Sequence, residues 1–377
     1  MFQKTGPQCQ PIRCSVGYSV LAVGCVLAAG GSAHADFQFS AADNLGPNVN
    51  SPDFETTAGI SVDGLSLYSV RNRVELWLST RASEQDPWDA AQYLGSLMPN
   101  EISTTVASID FLPGVTSADG LQAYYAAVLP GGFGNDDVWV MSRTSTADAW
   151  GPLVNIGPPV NTQYNEHFAC VSPDGLELYF GGYTGEHARP GGYGASDLWV
   201  SRRASREDSW TEPINLGPTI NSAYTDARPT MSPDGLLLFF DSSRPGGFGN
   251  LDLYVTTRAT LSDPWREPVN LGPHVNTSTI EECARISADG RTLYWDSPRP
   301  GGYGDNDLWQ ASVEPVVDLN GDGQVDCADV CMIVVMWGTD DRLCDIGPTP
   351  FGDGVVDEKD LIVLAEHLSR NGIDPSE

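Results

Sequence analysis

Basic residues are scarce in this chain of 377 residues, which has 20 lysines and arginines against 50 aspartates and glutamates and a formal net charge of −30. A chain this acidic is repelled by nucleic acid and by anionic membranes, so neither is expected as a partner. No run after residue 35 is apolar for long enough to cross a bilayer as a helix. The excess of acid indicates either solubility in a salty exterior or ligation of calcium.

The common catalytic signatures are also missing. The sequence contains no G-x-S-x-G, no P-loop and no H-E-x-x-H. Its five histidines show no spacing typical of a zinc site. The G-G-[FY]-G runs lead into predicted strands and not into helices, so they are not dinucleotide-binding loops.

Residues 1–35 have the features of a secretory signal peptide. A positively charged start precedes the short apolar run Val16–Ala29, and Ala33-His34-Ala35 offers small residues for cleavage. The predicted mature chain starts at Asp36 and is secreted, periplasmic or on the cell surface.

Five cysteines remain after the leader, an odd number. An oxidising exterior and a small C-terminal region favour one disulfide that involves Cys344, with its partner undecided. Cys170 and Cys283 are predicted to be buried apolar fillers.

One sequence unit recurs five times. It starts with an S-x-D-G turn between β-rich runs, where Asp-Gly is a hairpin signal. The turns are spaced 56, 55, 60 and 55 residues apart, at Ser61–Gly64, Ser117–Gly120, Ser172–Gly175, Ser232–Gly235 and Ser287–Gly290.

Each unit predicts four short strands. Four units carry P-G-G-[FY]-G after the second strand, at Pro130–Gly134, Pro190–Gly194, Pro245–Gly249 and Pro300–Gly304. A D-[LV]-[WY] strand follows, and then a tryptophan and N-[LI]-G-P. The tryptophans at matching places are Trp88, Trp150, Trp210 and Trp265.

About 56 residues and four strands per unit predict a β-propeller over residues 36–317, with stacked blades around an axis. The fifth unit lacks its last strand, and the N-terminus supplies Asn44–Pro47 with Phe37–Ala42 ahead of it. This segment is expected to complete the last blade and remove an exposed edge. We therefore predict a mostly β, five-bladed ring, or six blades if Tyr93–Gly120 contains further strands.

The motifs S-P-D-G, L-Y-F, R-P-G-G-[YF]-G, D-L-W-V and W-x-x-P-x-N-L-G resemble the TolB-like, WD-like propeller repeats of exported bacterial proteins. The resemblance covers roughly residues 40–315. It implies the fold and leaves function open, because such repeats occur in binding, scaffold and enzyme-associated proteins.

The composition changes at residue 318, where Asp318–Asp329 has the spacing of a twelve-residue calcium loop. Gly323 stands at the sharp turn. The predicted oxygen ligands are Asp318, Asn320, Asp322, the carbonyl of Gln324, Asp326 through water, and Asp329.

A second half-copy offers Asp353, Asp357 and Asp360, and each loop precedes one amphipathic helix. Two such halves over residues 318–377 resemble a type I dockerin, which implies Ca²⁺ and a cohesin-type partner. The second loop departs from the pattern, with Thr349 and Phe351 at positions 1 and 3. It would bind calcium only if Asp345 or backbone carbonyls substitute.

One face of the propeller is expected to collect the P-G-G-[FY]-G loops and the segments after N-[LI]-G-P. The predicted ligand-binding residues there are Phe133, Tyr193, Phe248, Tyr303, Arg189, Arg244 and Arg299. The candidate catalytic carboxylates, each six residues before an S-x-D-G, are Glu55, Glu166, Asp226 and Glu281. A feature that repeats in four units is more often a device that builds the blade. Departures from the repeat are therefore more informative, and they include the insertion Tyr183–His187 and His167.

Three functions follow from these features. The first is an exported, calcium-dependent accessory protein that binds carbohydrate or protein in a polysaccharide-degrading system. The second is a glycoside hydrolase that uses two channel carboxylates. The third is a structural or protein-interaction propeller.

Overall fold

The computed structural model describes residues 37–72, 75–96, 117, 119–148, 151–182, 188–339, 341, 343–347, 352 and 355–370. The predictions for residues 1–36, Trp150, the insertion Tyr183–His187, Asp353 and part of Tyr93–Gly120 lie outside this part of the chain.

The described strands form five antiparallel sheets; four are built from one repeat each, and the fifth combines the last repeat with the N-terminal segment. Blade one comprises β3 (Glu55–Ile60), β4 (Ser66–Arg71), β5 (Glu75–Thr80) and β6 (Gln92–Ser96); blade two comprises β7 (Gln122–Ala127), β8 (Asp137–Ser142) and β9 (Val154–Asn155); blade three comprises β10 (His167–Val171), β11 (Glu177–Gly181), β12 (Leu198–Arg202) and β13 (Ile214–Asn215); blade four comprises β14 (Asp226–Met231), β15 (Leu237–Ser242), β16 (Asp252–Thr257) and β17 (Val269–Asn270); blade five comprises β18 (Glu282–Ile286), β19 (Thr292–Ser297) and β20 (Asp307–Pro315), with β1 (Phe37–Phe39) and β2 (Asp43–Asn44). The predicted mostly β, five-bladed propeller is confirmed.

The N-terminal segment closes the ring as predicted. Phe39 in β1 is the register partner of Val313 in β20, and Asn44 in β2 is the partner of Trp309. Phe37 and Phe39 are buried in the cluster that also holds Trp295. The outer edge of β20 is therefore covered along this stretch, which removes a site for unwanted strand pairing.

The S-x-D-G turns have the predicted hairpin chemistry. In blade four the Ser232 hydroxyl accepts the N–H of Leu237 at 2.9 Å, and Asp234 accepts the N–H of Leu236 at 2.9 Å. Gly235 has φ +75°, a conformation that glycine adopts without steric cost. Each turn thus sets the register of a blade's first two strands.

The first strands of blades three to five share a bulge that places a non-glycine residue in the left-handed region. These residues are Phe168, Arg228 and Cys283, with φ values of 51°, 54° and 57°. The Arg228 guanidinium lies over the Phe168 ring at 4.5 Å. The bulges therefore bring side chains of neighbouring blades into contact.

The C-terminal region contains α1 (Cys327–Val335) and α2 (Glu358–Arg370). They enclose an apolar cluster that includes Ile333, Cys344, Ile346 and Leu364. No described helix is long and apolar enough to span a membrane.

The five cysteines of the described chain are free thiols, so the predicted disulfide at Cys344 is wrong for this structure. Cys344 lies in the apolar cluster, whereas Cys327 and Cys331 lie on the exposed surface of α1. The burial of Cys170 and Cys283 is confirmed.

Candidate functional site

The carboxylate of Glu166 is completely buried at the start of blade three. It accepts the backbone N–H of Thr162 at 3.0 Å and the Thr162 hydroxyl at 2.7 Å. Arg189 donates to the same carboxylate at 2.8 Å and to the carbonyl of Val160 at 2.6 Å. The acid and the arginine together hold the linker that enters the blade.

The other three candidate carboxylates have the same environment. Asp226 lies 2.6 Å from Arg244, Glu281 lies 3.2 Å from Arg299, and Glu55 lies 3.2 Å from Arg71. All three carboxylates are fully buried, and burial raises the pKa of Glu55 to about 7. Sequence analysis missed Arg71 because the first unit lacks P-G-G-[FY]-G.

Blade two lacks the arginine of this pair, because Leu129 precedes Pro130 where the other P-G-G-[FY]-G units have arginine. Phe111, at the acid's place in the sequence, lies outside the described residues. Replacement of both members by apolar residues in one unit indicates that acid and arginine act together. Their hydrogen bonds are those of a structural clamp, and a catalytic role for any of the four carboxylates stays a prediction.

The predicted rim arginines are engaged by the protein. Besides its acid, each lies over aromatic rings of its own blade: Arg189 is 5.6 Å from the Trp199 ring, and Arg299 is 5.1 Å from that of Trp309. Burial lowers the pKa of Arg299, with Glu281 opposing the shift. These guanidinium groups hold the second strand against the linker.

The four predicted rim aromatics are half-exposed. Phe133, Tyr193, Phe248 and Tyr303 are 53, 53, 49 and 51% exposed. Their loops join the second and third strands, so antiparallel pairing places them at the end of the blade where the first strand begins. The isolated bridge between Ser196 and Thr225 ties one such loop to the next linker.

A further polar group, missed by sequence analysis, joins the first strands of blades four and five. Arg228 contacts Asp241 at 2.6 Å and Glu282 at 3.0 Å. Burial raises the pKa of Asp241 to about 7, with Arg228 opposing the shift. Asp241 of unit four departs from the repeat, because units one to three carry Val70, Ala126 and Gly181 at its position. This departure is the feature of the sequence that could have identified the group.

Blade five carries Asp296 at the same position, where it contacts blade one and so links the last blade to the first. Asp296 accepts the Thr56 hydroxyl at 3.1 Å and the Asn306 side-chain amide at 2.9 Å. Burial raises its pKa, and Glu282 adds to the shift. Asp241, Glu282 and Asp296 thus form a group of carboxyls that the repeat does not require.

His167, predicted as a distinguishing residue of blade three, is buried 3.3 Å from Asp136. Burial lowers its pKa to about 3, and Arg228 adds to this effect. The imidazole is therefore neutral at physiological pH.

The first predicted calcium loop is organised by its own acids. Asp318 accepts the N–H groups of Gly321 and Gly323 at 2.9 and 2.8 Å. Asp326 is the N-cap of α1 and forms a capping box with Asp329, which is buried and accepts the N–H of Leu319 at 2.8 Å. Gly323 has φ +84°, as the sharp turn requires.

The second loop starts earlier than predicted. Asp360 accepts the N–H groups of Ile346 and Gly347 at 2.7 and 2.8 Å, just as Asp329 accepts those of Leu319 and Asn320. Asp345 therefore corresponds to Asp318, whereas Thr349, the residue predicted for position 1, lies outside the described residues. This loop is four residues longer than the first.

The donors in the first loop are hard carboxylate and amide oxygens, the chemistry that calcium prefers. Over the described residues, however, no three Asp, Glu, His or Cys side chains converge to form a metal site. Asp357 caps α2 by accepting the N–H of Lys359 at 2.8 Å.

Comparison with family models and with curated proteins gives no match. Similar solved structures include TolB from Acinetobacter baumannii, at 13% identity over 71% of this chain and 56% of that one, with a TM-score of 0.41. An α-L-arabinofuranosidase from Lactobacillus brevis has 13% identity over 73% and 94% of the two chains, with a TM-score of 0.44. A family 117 glycoside hydrolase from Zobellia galactanivorans has 13% identity over 74% and 90%, with a TM-score of 0.43. At these values the likeness concerns the propeller fold and says nothing about function.

Proposed function

We propose that this protein is an exported, non-catalytic propeller that binds carbohydrate, attached through a calcium-dependent C-terminal module. The observation that carries the proposal is the set of four half-exposed aromatic rings at corresponding loops of blades two to five. Aromatic faces stack on the apolar faces of sugar rings, and half-exposure leaves them accessible.

The charges of the same face favour an uncharged glycan. Among the described residues, the arginines at this end of the blades are Arg71, Arg189, Arg228, Arg244 and Arg299, and each is paired with a buried or partly buried acid. Uronate or sulfate groups would meet no unpaired cation of this set, and the net charge of −30 would repel them.

The first test is retention of the full chain on neutral and acidic polysaccharides, with analysis of released products. Binding to a neutral polymer without cleavage is expected. A Phe248→Ala, Tyr303→Ala double variant should bind less while keeping its thermal midpoint, because both rings are half-exposed. Tight retention on a uronate polymer alone, or unchanged binding by the double variant, would refute the proposal.

For the C-terminal module we propose Ca²⁺ bound by Asp318, Asn320, Asp322 and the Gln324 carbonyl. The spacing and the positive φ of Gly323 support this. In the second loop, Asp345 is the residue positioned to contribute. A cohesin-type partner would find an exposed apolar surface at Val334, Val335 and Trp337, which are 57, 75 and 47% exposed.

A second candidate function, glycoside hydrolysis, is favoured by one observation. Asp241 and Asp296 are buried carboxyls with raised pKa values beside the partly exposed Glu282. A carboxyl that is protonated near neutrality is what a general acid requires. Release of reducing ends that Glu282→Gln abolishes, while Glu166→Gln does not, would establish this alternative.

A further inference from the structure

The four aromatic loops are near-identical in geometry. The backbone N–H of Phe133, Tyr193 and Phe248 donates to the aspartate four residues later at 2.7, 2.5 and 2.5 Å, and Tyr303 makes the same bond to Asp307. The glycine two residues before each aromatic has φ of 93, 92, 96 and 99° in chain order. Each ring is therefore presented by the same rigid backbone.

Each loop also lies directly on the linker that enters the next blade. A Cβ on Gly134 would fall 2.3 Å from the carbonyl oxygen of Tyr164, and one on Gly194 would fall 2.4 Å from that of Tyr224. Only glycine permits this approach. One ring and one linker thus form a local surface, and the surface recurs once per blade.

We propose that this face carries four separate glycan-binding sites, one on each of blades two to five, and that the protein is multivalent. The proposal rests on the proposed function and specifies its valence. Each site is weak, since a single half-exposed ring contacts little of a ligand. A polymer or an insoluble surface that reaches several sites is held far more tightly than an oligosaccharide.

The four sites share one backbone geometry but differ in the side chains that the adjacent linker places beside the ring. Tyr224 is 46% exposed on the linker against Tyr193, so the blade-three site offers two rings. At the position of Tyr224 the linkers of the other sites carry Tyr164, Thr279 and Asp53, and the Tyr164 ring is less exposed than that of Tyr224. The blade-three site is therefore the strongest of the four.

The test uses cellulose, xylan, mannan, arabinan and galactan as probes, and then the hexasaccharide of whichever polymer retains the full chain. Calorimetry with the hexasaccharide should give about four sites. Phe133→Ala, Phe248→Ala or Tyr303→Ala should each remove one site and leave the affinity of the others unchanged. Tyr193→Ala should remove the tightest.

On the polymer, each substitution should lower the apparent affinity about tenfold or more through lost avidity. The control is Ile214→Ala, an exposed apolar residue on an outer strand, which should change neither quantity. A stoichiometry of one, or complete loss of hexasaccharide binding in a single variant, would overturn the inference while leaving carbohydrate binding intact. Failure of every polymer to retain the chain would instead remove the proposed function and this inference with it.

Discussion

The clearest test of the clamp interpretation is Glu281→Gln. The Glu281 carboxylate is fully buried and only accepts: from the Thr277 N–H at 2.8 Å, the Thr277 hydroxyl at 2.6 Å, the Ser297 hydroxyl at 3.0 Å and Arg299 at 3.2 Å. An amide of the same shape turns one of its two acceptor atoms into a donor. At least one of the donors around the side chain, the Thr277 N–H or the Arg299 guanidinium, then faces the donor nitrogen of the new amide.

The cost follows from burial. Loss of a charge-assisted hydrogen bond costs about 1.5–3 kcal/mol, and a buried charge without its partner costs about 3–5 kcal/mol. Arg299 retains the Val275 carbonyl and two aromatic rings, which keeps the total near the lower end of the second range. We expect a loss of about 3 kcal/mol in the free energy of unfolding.

Thermal unfolding followed by circular dichroism measures this loss as a fall of about 6 °C or more in the midpoint. Glu314→Gln, which changes an exposed acid of the same blade, should leave the midpoint unchanged. An unchanged midpoint for Glu281→Gln, together with lost glycan binding or hydrolysis, would show that the carboxylate serves a ligand and not the blade.

Three further predictions concern the buried Asp241, the closing strand and the C-terminal module. Burial raises the pKa of Asp241 to about 7 in the folded state, so its contribution to stability is fully present below about pH 4 and is lost as the pH rises through 7. Asp241→Asn should make the unfolding midpoint fall less steeply between pH 5 and 8, and the remaining slope comes from Glu55 and Asp296, whose pKa values burial also raises to about 7. Deletion of residues 36–44 removes two buried phenylalanines, which costs about 3–6 kcal/mol in the free energy of unfolding. The deletion also exposes the edge of β20, so light scattering should reveal aggregation that the full chain does not show. Chelation of calcium should speed amide exchange in residues 318–347 and 355–370 and leave the blades protected; equal exchange with and without chelator would remove the calcium proposal.

The architecture was predictable because its causes are local. An S-x-D-G turn at a fixed spacing determines a hairpin through the serine and aspartate oxygens and one left-handed glycine, and no distant contact is needed. The missing fourth strand of the last unit and the orphan Asn44–Pro47 segment likewise predicted ring closure. In the candidate site the exposed aromatics were found by their motif, which repeats in four units.

Only the tertiary structure determines which charged side chains contact one another. Arg228, Asp241 and Glu282 come from three strands of two blades, and Asp296 reaches Thr56 across 240 residues of chain. The start of the second loop likewise became clear only from the contact between Asp360 and Ile346. Repeat spacing and turn chemistry act between near neighbours in sequence and thereby determine the blades. Burial and ion pairing depend on which blades lie side by side. The closed ring therefore determines whether a given carboxylate or guanidinium is accessible to a ligand.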